Sequence, residues 1–496
     1  MALTPKERMA IQRQKMPERA PDKRNKDFKE VNTGFDGAVA KLEADRCLRC
    51  KDGKCVYGCP VGIDIPGFLE RISEGDMRGA AELLLSANAL PGITGRVCPQ
   101  EEQCERFCVR AKGKHGEPVA VGHLERYVAD WARENLDIKT LLADATNIKI
   151  AIVGSGPAGL TCAGELARKG HDVTIFEALH KPGGVLAYGI PEFRMPNKII
   201  DAEVDRLRQM GVRIICNVVI GRTFTIDELL NEEGFKAIFI ANGAGLPIFM
   251  NIPGENLKGV YSANEYLTRS NLMGAYEFPK FDTPIVRGKH VVVIGGGNVA
   301  MDSVRTAKRL GADEATLVYR RSRTEMPARN EEIKHAEEEE IVFKLLCNPI
   351  RYLGTEDGWV KGVECIQMEL GEPDDSGRRR PVPIKGSEFV IDCDVAIPAI
   401  GTRANPLLTN ATPDLKLNKW GYIESTNDFG QTSKEGIWAG GDIIRGAATV
   451  ILAMGDGKKS AAAMDEWVRQ QAGLAQLPQT EQALEAYRAQ TEAQCT

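Results

Sequence analysis

Residues 148–159 read IKIAIVGSGPAG: an apolar run, a glycine-rich turn and the opening of a helix. The apolar run is short and stops on glycine, so it reads as a buried strand rather than a helix. Gly154, Ser155, Gly156, Pro157, Ala158 and Gly159 then form a G-x-G-x-x-G turn. In that pattern the first glycine turns the chain and the second admits a pyrophosphate to the backbone. The third lets the helix pack closely on the strand. The helix N-terminus meets the phosphate charge. The following strand, DVTIFE (172–177), ends in Glu177, 18 residues past Gly159, where a ribose hydroxyl is expected. A glycine turn alone is a weak signal. The acid at that distance favours a dinucleotide site over a structural turn.

A second unit of the same kind begins at KHVVVIGGG (289–297). Its turn is Gly295, Gly296, Gly297, Asn298, Val299 and Ala300, with alanine at the last small position, which the motif permits. The next strand, ATLVYRRS (315–322), ends in Arg320 and Arg321 instead of an acid. Arginine pairs with a 2′-phosphate that an acid would repel, so NADP(H) is expected over NAD(H). A third segment, GIWAGGDIIRG (436–446), sets Gly441 and Asp442 after a strand, where ribityl or phosphate groups of a flavin could be held. The residues after it, AATVILAMGDGKKSAAAMDEWV, read as a helix running beneath the isoalloxazine. The loops IANGAG (240–245) and IPAIGTR (397–403) have the look of crossovers between the two nucleotide units.

Ahead of these units lies a cysteine-rich region. Seven of the chain's 13 cysteines fall between Cys47 and Cys108. Cys47, Cys50, Cys55 and Cys59 follow the spacing C-x2-C-x4-C-x3-C, with Pro60 next; Cys98, Cys104 and Cys108 come later, with Pro99 after the first. Soft thiolates on a turn-rich scaffold suit iron in sulfide cages. Two four-iron clusters take eight donors, one more than the cysteines supply, and the carboxylate of Glu125 is the candidate for it. The competing reading is two zinc sites. Zinc prefers paired C-x2-C knuckles, and only one such pair is present; His115 and His123 lack knuckle spacing. Cys162, Cys216, Cys347, Cys365 and Cys393 stand singly and read as small core residues.

The chain has 496 residues, enough for about three domains. With 64 basic and 69 acidic side chains there is no general basic field for nucleic acid or an anionic membrane. No run reaches the ~18 apolar residues of a membrane span, and the first 30 residues lack a secretory apolar core, so a cytoplasmic protein is expected. Residues 1–30 carry nine basic and five acidic side chains and read as a solvated or partner-facing arm. The segments 65–89 and 122–136 carry apolar residues at helical spacing. The expected architecture is α/β: a helical cysteine domain (1–145), then two doubly wound Rossmann-like units. The FAD-binding unit would occupy 146–284 and 402–470, with the NADP(H) unit inserted at 285–401. Within that insert, 359–397 reads as a β-meander turning at PDDSGRRR (373–380). The glutamates at 337–340 read as a solvated helix face, and the tail (471–496), with Cys495, carries no recognisable chemistry.

The motifs ADRCLRCKDGKCVYGCPVGIDIPGF (44–68), GRVCPQEEQCERFC (95–108), GGVLAYGIPEFRMP (183–196), GGGNVAMDSVRT (295–306) and YRRSRTEMPA (319–328) together resemble one family. It is that of the glutamate synthase small (β) subunit, whose module recurs in the large subunit of NADH-dependent reduced ferredoxin:NADP oxidoreductase. The resemblance runs from about Asp36 to Val468. It implies that Cys47, Cys50, Cys55 and Cys108 hold one 4Fe–4S cluster. It implies that Cys59, Cys98 and Cys104 hold the other, with Glu125 in the place of a non-cysteine ligand. It further implies that Gly183, Gly184 and the loop from Tyr188 to Pro191 lie near FAD. CPVGIDIPGF and VCPQEEQCE look closest to the electron-bifurcating large subunit and to stand-alone archaeal and bacterial homologues labelled glutamate synthase.

A nicotinamide delivers electrons in pairs and iron–sulfur clusters take them singly, so a flavin is the required converter. The expected function is electron transfer between NADP(H), FAD and two clusters, to or from a partner. That partner would be a ferredoxin-reductase-like small subunit, a glutamate synthase large subunit, or ferredoxin itself. No side chain is singled out as catalytic. No C-x-x-C follows Cys50, so an exit through a dithiol is not expected. The rival of another class is a docking scaffold in which the clusters are structural staples; intact phosphate loops at both sites argue against it.

Overall fold

The computed structural model describes residues 3–112, 116–136, 142–375 and 377–475. His115, Cys495 and the tail beyond residue 475 lie outside them. Before Lys149 the described residues form helices and no strand, save one isolated bridge between Glu18 and Asn32. The 65–89 segment is two helices, Ile65–Glu74 and Met77–Ala87. Gly75 separates them in the left-handed conformation (φ 83°), which closes the first helix without a Cβ penalty. Asp64 and Asp76 cap the two N-termini, accepting from Gly67 N and Gly79 N. Ile65, Phe68, Leu69 and Ile72 form the buried stripe of the first helix, each contributing about 1.5–3 kcal/mol by leaving water.

From Lys149 onward strands alternate with helices. A five-stranded parallel sheet runs in the spatial order Ile437–Ala439, Ala237–Ile240, Lys149–Val153, Asp172–Phe176, Arg213–Ile215. A four-stranded parallel sheet runs Val395–Pro398, His290–Ile294, Glu314–Tyr319, Val342–Leu345. The chain leaves the first sheet after Ile240 and returns to it at Ile437, with the second sheet built in between. The outgoing Leu246–Pro247 and returning Thr402–Arg403 segments pair as an antiparallel ribbon at the crossing. Cys347–Gly354, Val360–Pro373 and Arg379–Asp392 form a separate antiparallel meander. No helix among the described residues is long and apolar enough to cross a membrane.

Two expectations need correction. The amino-terminal arm is docked on the body of the protein. Arg8 donates to the carbonyls of Asp45 and Cys47, both at 3.1 Å, and Val31 N donates to the Phe193 carbonyl at 2.9 Å. Arg24 is buried, donating to Glu18 at 3.2 Å, Glu338 at 2.6 Å and Glu339 at 3.0 Å. The glutamates at 337–340 are correspondingly not one solvated face. Glu339 is fully buried and also accepts from Arg305 at 2.9 Å and Arg309 at 2.7 Å. Both of those guanidinium groups stack over the Phe193 ring of the first nucleotide unit, at 4.8 and 3.8 Å from its centre. The helical period turns Glu339 inward while Glu337 and Glu340 stay exposed.

This knot predicts a stability effect. Glu339→Gln leaves several buried guanidinium groups under-compensated and should cost about 3–5 kcal/mol in denaturant unfolding; a loss under 1 kcal/mol would contradict the account. Burial pushes the neighbouring Glu332 carboxyl up, but Arg194 and Arg305 outweigh it and hold it at about 2, below the usual 4.5. A carboxyl depressed on folding stabilises above its unfolded pKa. Stability should therefore be lost as pH falls from about 4.5 toward 2.

Candidate cofactor and cluster sites

The first glycine turn is built by backbone meeting backbone. A Cβ on Gly159 would lie 2.0 Å from the Gly154 carbonyl oxygen, and one on Gly154, at φ 101°, 2.5 Å from that of Ala241. Gly156 differs: a Cβ there would meet nothing within 4 Å. It caps the Pro157–Arg168 helix, leaving an open cradle at the helix N-terminus. Glu177 is buried beside it. Its carboxylate accepts from Ser155 N at 2.8 Å, from Ser155 Oγ, and from Leu179 N at 2.8 Å. Gly183 N donates to Ser155 Oγ at 3.0 Å, and a Cβ on Gly184 would lie 2.9 Å from Gly156 Cα. The 183–184 loop thus closes over the cradle.

Two further segments converge on the same place. A Cβ on Gly441 would lie 3.1 Å from Ala158 Cβ, and Gly441 N donates to Asp456 Oδ2 at 3.1 Å. Asp442 accepts from Ala448 N at 3.2 Å. Burial pushes its carboxyl up to about 6, and the nearby Asp456 adds to that. Tyr188 is pushed up to about 12 by burial, then by Asp442 and Glu177, which face it from two segments. The fit to a dinucleotide rests on this open backbone cradle at a helix N-terminus, which suits phosphate, with the Glu177 and Asp442 carboxylates placed to accept from hydroxyls.

The second turn follows the same plan with one difference. A Cβ on Gly295 would lie 2.4 Å from the Ala399 carbonyl oxygen, while the nearest atom to one on Gly297 is Pro327 Cγ at 3.9 Å. Asn298, Val299 and the buried Ala300 open the Asn298–Arg309 helix. The two arginines part company. Arg321 is buried, its Nε donating to the Arg379 carbonyl at 2.7 Å and its Nη2 paired with Asp374 at 2.5 Å. That corrects the expectation for Arg321: the meander's turn holds its guanidinium, leaving Arg320 as the exposed member of the pair.

The cysteines fall into two groups. Burial pushes the Cys47 thiol up to about 11, with Cys108 and Cys50 adding to it. It pushes Cys55 up to about 12, with Cys47, Cys108 and Cys50 adding to that. These four are half-buried. Cys98 and Cys104 are buried, and their thiols are pushed well above the ordinary value, by burial first, then by Glu125, Cys104 and Cys59 at Cys98 and by Glu105, Glu125, Cys59 and Cys55 at Cys104. Arg329 works the other way at Cys98. Thiols this crowded give up their protons readily only to a metal that replaces them. The all-sulfur, one-carboxylate donor set therefore fits iron–sulfur clusters. His123 lines a polar cavity with Arg96, Arg126 and Arg329 and stacks edge-on against Phe35.

Glu125 reaches the second group through two helices. A Cβ on Gly95 would lie 2.6 Å from Arg126 N, so the Pro91–Val97 and Val121–Asn135 helices touch backbone to backbone. That contact sets Cys98, at the end of the first, beside Glu125 on the second. The Glu125 carboxylate accepts from Asn88 at 2.8 Å and from Thr94 Oγ1. Burial pushes it up to about 7 against the pull of those bonds. Motif reading misses Asn88, Thr94, Asp456 and Lys458, which lie outside every recognisable spacing. Lys458 Nζ, on the Val450–Ala472 helix, donates to the carbonyls of Val61 at 2.7 Å and Ala87 at 2.8 Å. On that helix a Cβ at Gly455 would lie 3.0 Å from the Pro60 carbonyl oxygen, next to Cys59. Of the lone cysteines, Cys162, Cys347, Cys365 and Cys393 are buried and Cys216 is half-buried. None of the described cysteines forms a disulfide.

Known proteins share these parts. Residues 24–136 match the family described as dihydropyrimidine dehydrogenase domain II, 4Fe-4S cluster, and residues 148–457 match pyridine nucleotide-disulphide oxidoreductase. The chain is 39% identical over 442 residues to the NADP(+)-dependent formate dehydrogenase subunit beta of Moorella thermoacetica, covering 84% of this chain and 60% of that one. It is 36% identical over 469 residues to the NADPH glutamate synthase small chain of Azospirillum brasilense, covering 92% and 95%. The chain thus spans less than two thirds of the first protein and nearly all of the second. FprA of Mycobacterium tuberculosis, solved with NADPH, superposes with a TM-score of 0.54 at 21% identity, over 67% of this chain and 87% of that one. That likeness shows the fold alone.

The two kinds of glycine contact make a paired prediction. Gly156→Ala should fold with stability within about 1 kcal/mol of the parent, yet purify without flavin, because the methyl fills the cradle. Gly159→Ala should lower stability itself, through the clash with the Gly154 carbonyl. Flavin retained at full stoichiometry in Gly156→Ala would contradict the assignment.

Proposed function

We infer the function from one premise: the chain belongs to the pyridine nucleotide-disulphide oxidoreductase family, carries a 4Fe-4S domain match ahead of that region, and is similar to glutamate synthase small chains. From that premise we propose that it is an NADP(H)-dependent FAD and iron–sulfur oxidoreductase working as the electron-transfer subunit of a larger complex. The observation that carries this reading is the continuity from cradle to thiols. The Val450–Ala472 helix touches the first glycine turn through Gly457, whose Cβ would lie 2.3 Å from the Ala158 carbonyl oxygen. The same helix meets the cysteine region through Gly455 and Lys458.

A bound flavin supplies the change from paired to single electrons. The chain's own groups do the rest. Gly156 leaves backbone open to a pyrophosphate, Gly184 closes over it, and Glu177 offers acceptors to a ribose. Gly295, Gly297, Asn298, Val299 and Ala300 form the second cradle, and Arg320 is free to meet a 2′-phosphate. Cys59, Cys98, Cys104 and Glu125 would hold the inner cluster, with Cys98, Cys104 and Glu125 buried and Cys59 half-buried. Cys47, Cys50, Cys55 and Cys108 would hold the outer one. Asn88 and Thr94 orient the Glu125 oxygen and set its basicity, which tunes a cluster as the ligands themselves do. Beside the outer group Tyr57 is 79% exposed and Phe107 42% exposed, a surface suited to a one-electron partner.

Two partner types fit. The near-complete span of the Azospirillum glutamate synthase small chain supports a large glutamate-forming subunit. The motifs CPVGIDIPGF and VCPQEEQCE, similar both to the electron-bifurcating large subunit and to stand-alone glutamate synthase homologues, also admit a ferredoxin-reductase-like small subunit, with electron bifurcation at the flavin. Co-purification of the native complex separates them by the identity of the companion chain. For the core reading, anaerobically prepared protein should contain about eight iron and about eight acid-labile sulfide per chain, with one FAD. Its flavin absorption should bleach with NADPH and not with NADH. Zinc in place of iron would overturn the reading, and equal bleaching by NADH would overturn the role of Arg320.

A further inference from the structure

Arg329 is rooted in the second nucleotide unit, but its side chain ends in the cysteine region. Its backbone N–H donates to Asn298 Oδ1 at 3.0 Å, and Ala328 N donates to the Gly296 carbonyl at 3.2 Å. With Pro327 facing Gly297, the segment 327–329 lies along the second glycine turn. The buried guanidinium then crosses to the other side of the interface. Nη1 donates to the Arg96 carbonyl and Nη2 to Gln100 Oε1, both at 3.1 Å. These two acceptors stand two residues before and two residues after Cys98. Glu331 at 3.0 Å and Glu101 at 3.8 Å are its carboxylate neighbours.

A cluster becomes more negative on reduction, so a nearby cation stabilises its reduced form. In a buried site that effect is weakly screened by salt. The hydrogen bonds on both sides of Cys98 fix the distance over which it acts. We infer that Arg329 is a positioning residue for electron transfer. It raises the reduction potential of the cluster bound at Cys59, Cys98 and Cys104, and through Asn298 it ties that potential to occupancy of the second glycine turn. This rests on the cluster reading proposed above. Nucleotide phosphates arriving beside Asn298 add negative charge on the Arg329 side, so occupancy lowers the same potential. By linkage, cluster reduction weakens nucleotide binding by the same factor.

The test is an EPR-monitored redox titration of the full chain, prepared anaerobically with flavin and clusters, with and without saturating NADP⁺. Arg329→Gln should shift one cluster's reduction equilibrium about tenfold toward the oxidised form, about 59 mV for one electron, and leave the other in place. The NADP⁺-dependent shift expected of the parent should vanish. Arg329→Lys, which keeps the charge, should stay within about threefold of the parent. Gln100→Met removes an acceptor and no charge, and should shrink the NADP⁺-dependent shift even if Arg329→Gln loads its clusters poorly. Unchanged potentials in loaded Arg329→Gln, equal shifts of both clusters, or an undiminished NADP⁺ effect in Gln100→Met would overturn the proposal. A parent protein without reducible iron would instead overturn the cluster reading, which the parent titration reports separately.

Discussion

A carboxylate shut away from water among three guanidinium groups holds this protein's parts in register. Glu339 accepts from Arg24 of the amino-terminal arm and from Arg305 and Arg309 of the second nucleotide unit. Phe193 of the first unit lies beneath two of those cations. Removing any one partner would leave uncompensated charge in a medium that solvates it poorly. The arm and both nucleotide units are therefore fixed against one another, and Arg329 ties the second unit to the cysteine region through the Arg96 carbonyl and Gln100. Electron transfer between bound groups needs that, because its rate depends on separations that a loose hinge would not keep.

The site has a matching logic of depth. The cradle at Gly156 opens at a helix N-terminus, the Cys98 and Cys104 thiols are buried, and the Cys47, Cys50, Cys55 and Cys108 thiols reach partly to the surface. Small residues carry the approaches between these zones. Gly95 brings Cys98 to Glu125, Gly455 brings the long carboxy-terminal helix to Pro60, and Gly457 sets that helix on the first glycine turn. A methyl group at Gly95 or Gly457 would collide with backbone, and one at Gly455 would press on it, so these approaches depend on missing side chains.

What could be read from the sequence was local. Strand, glycine turn and helix follow one another within a dozen residues at 148–159, and again at 289–300, so the doubly wound units announce themselves. The cysteine spacing is local in the same sense. What escaped depends on partners far along the chain. Arg24 meets Glu339 across 315 residues, and nothing near either one signals it. A run of glutamates reads as solvated because composition does not reveal which member the helix turns inward. Arg321 sits where a phosphate partner is expected, but the meander returns Asp374 to it from 53 residues away. Asn88 and Thr94 have no motif at all; only the meeting of two helices at Gly95 shows why they matter.

In the function proposed above, electrons enter in pairs at a nicotinamide and leave singly through iron in the amino-terminal helical region. Rapid freeze-quench EPR, alongside stopped-flow absorbance, tests it on anaerobic protein mixed with one equivalent of NADPH. The account predicts flavin bleaching first, then reduced iron–sulfur signals growing in as flavin absorbance recovers. Flavin that bleaches fully and stays bleached, with no iron–sulfur signal at any time, would contradict it.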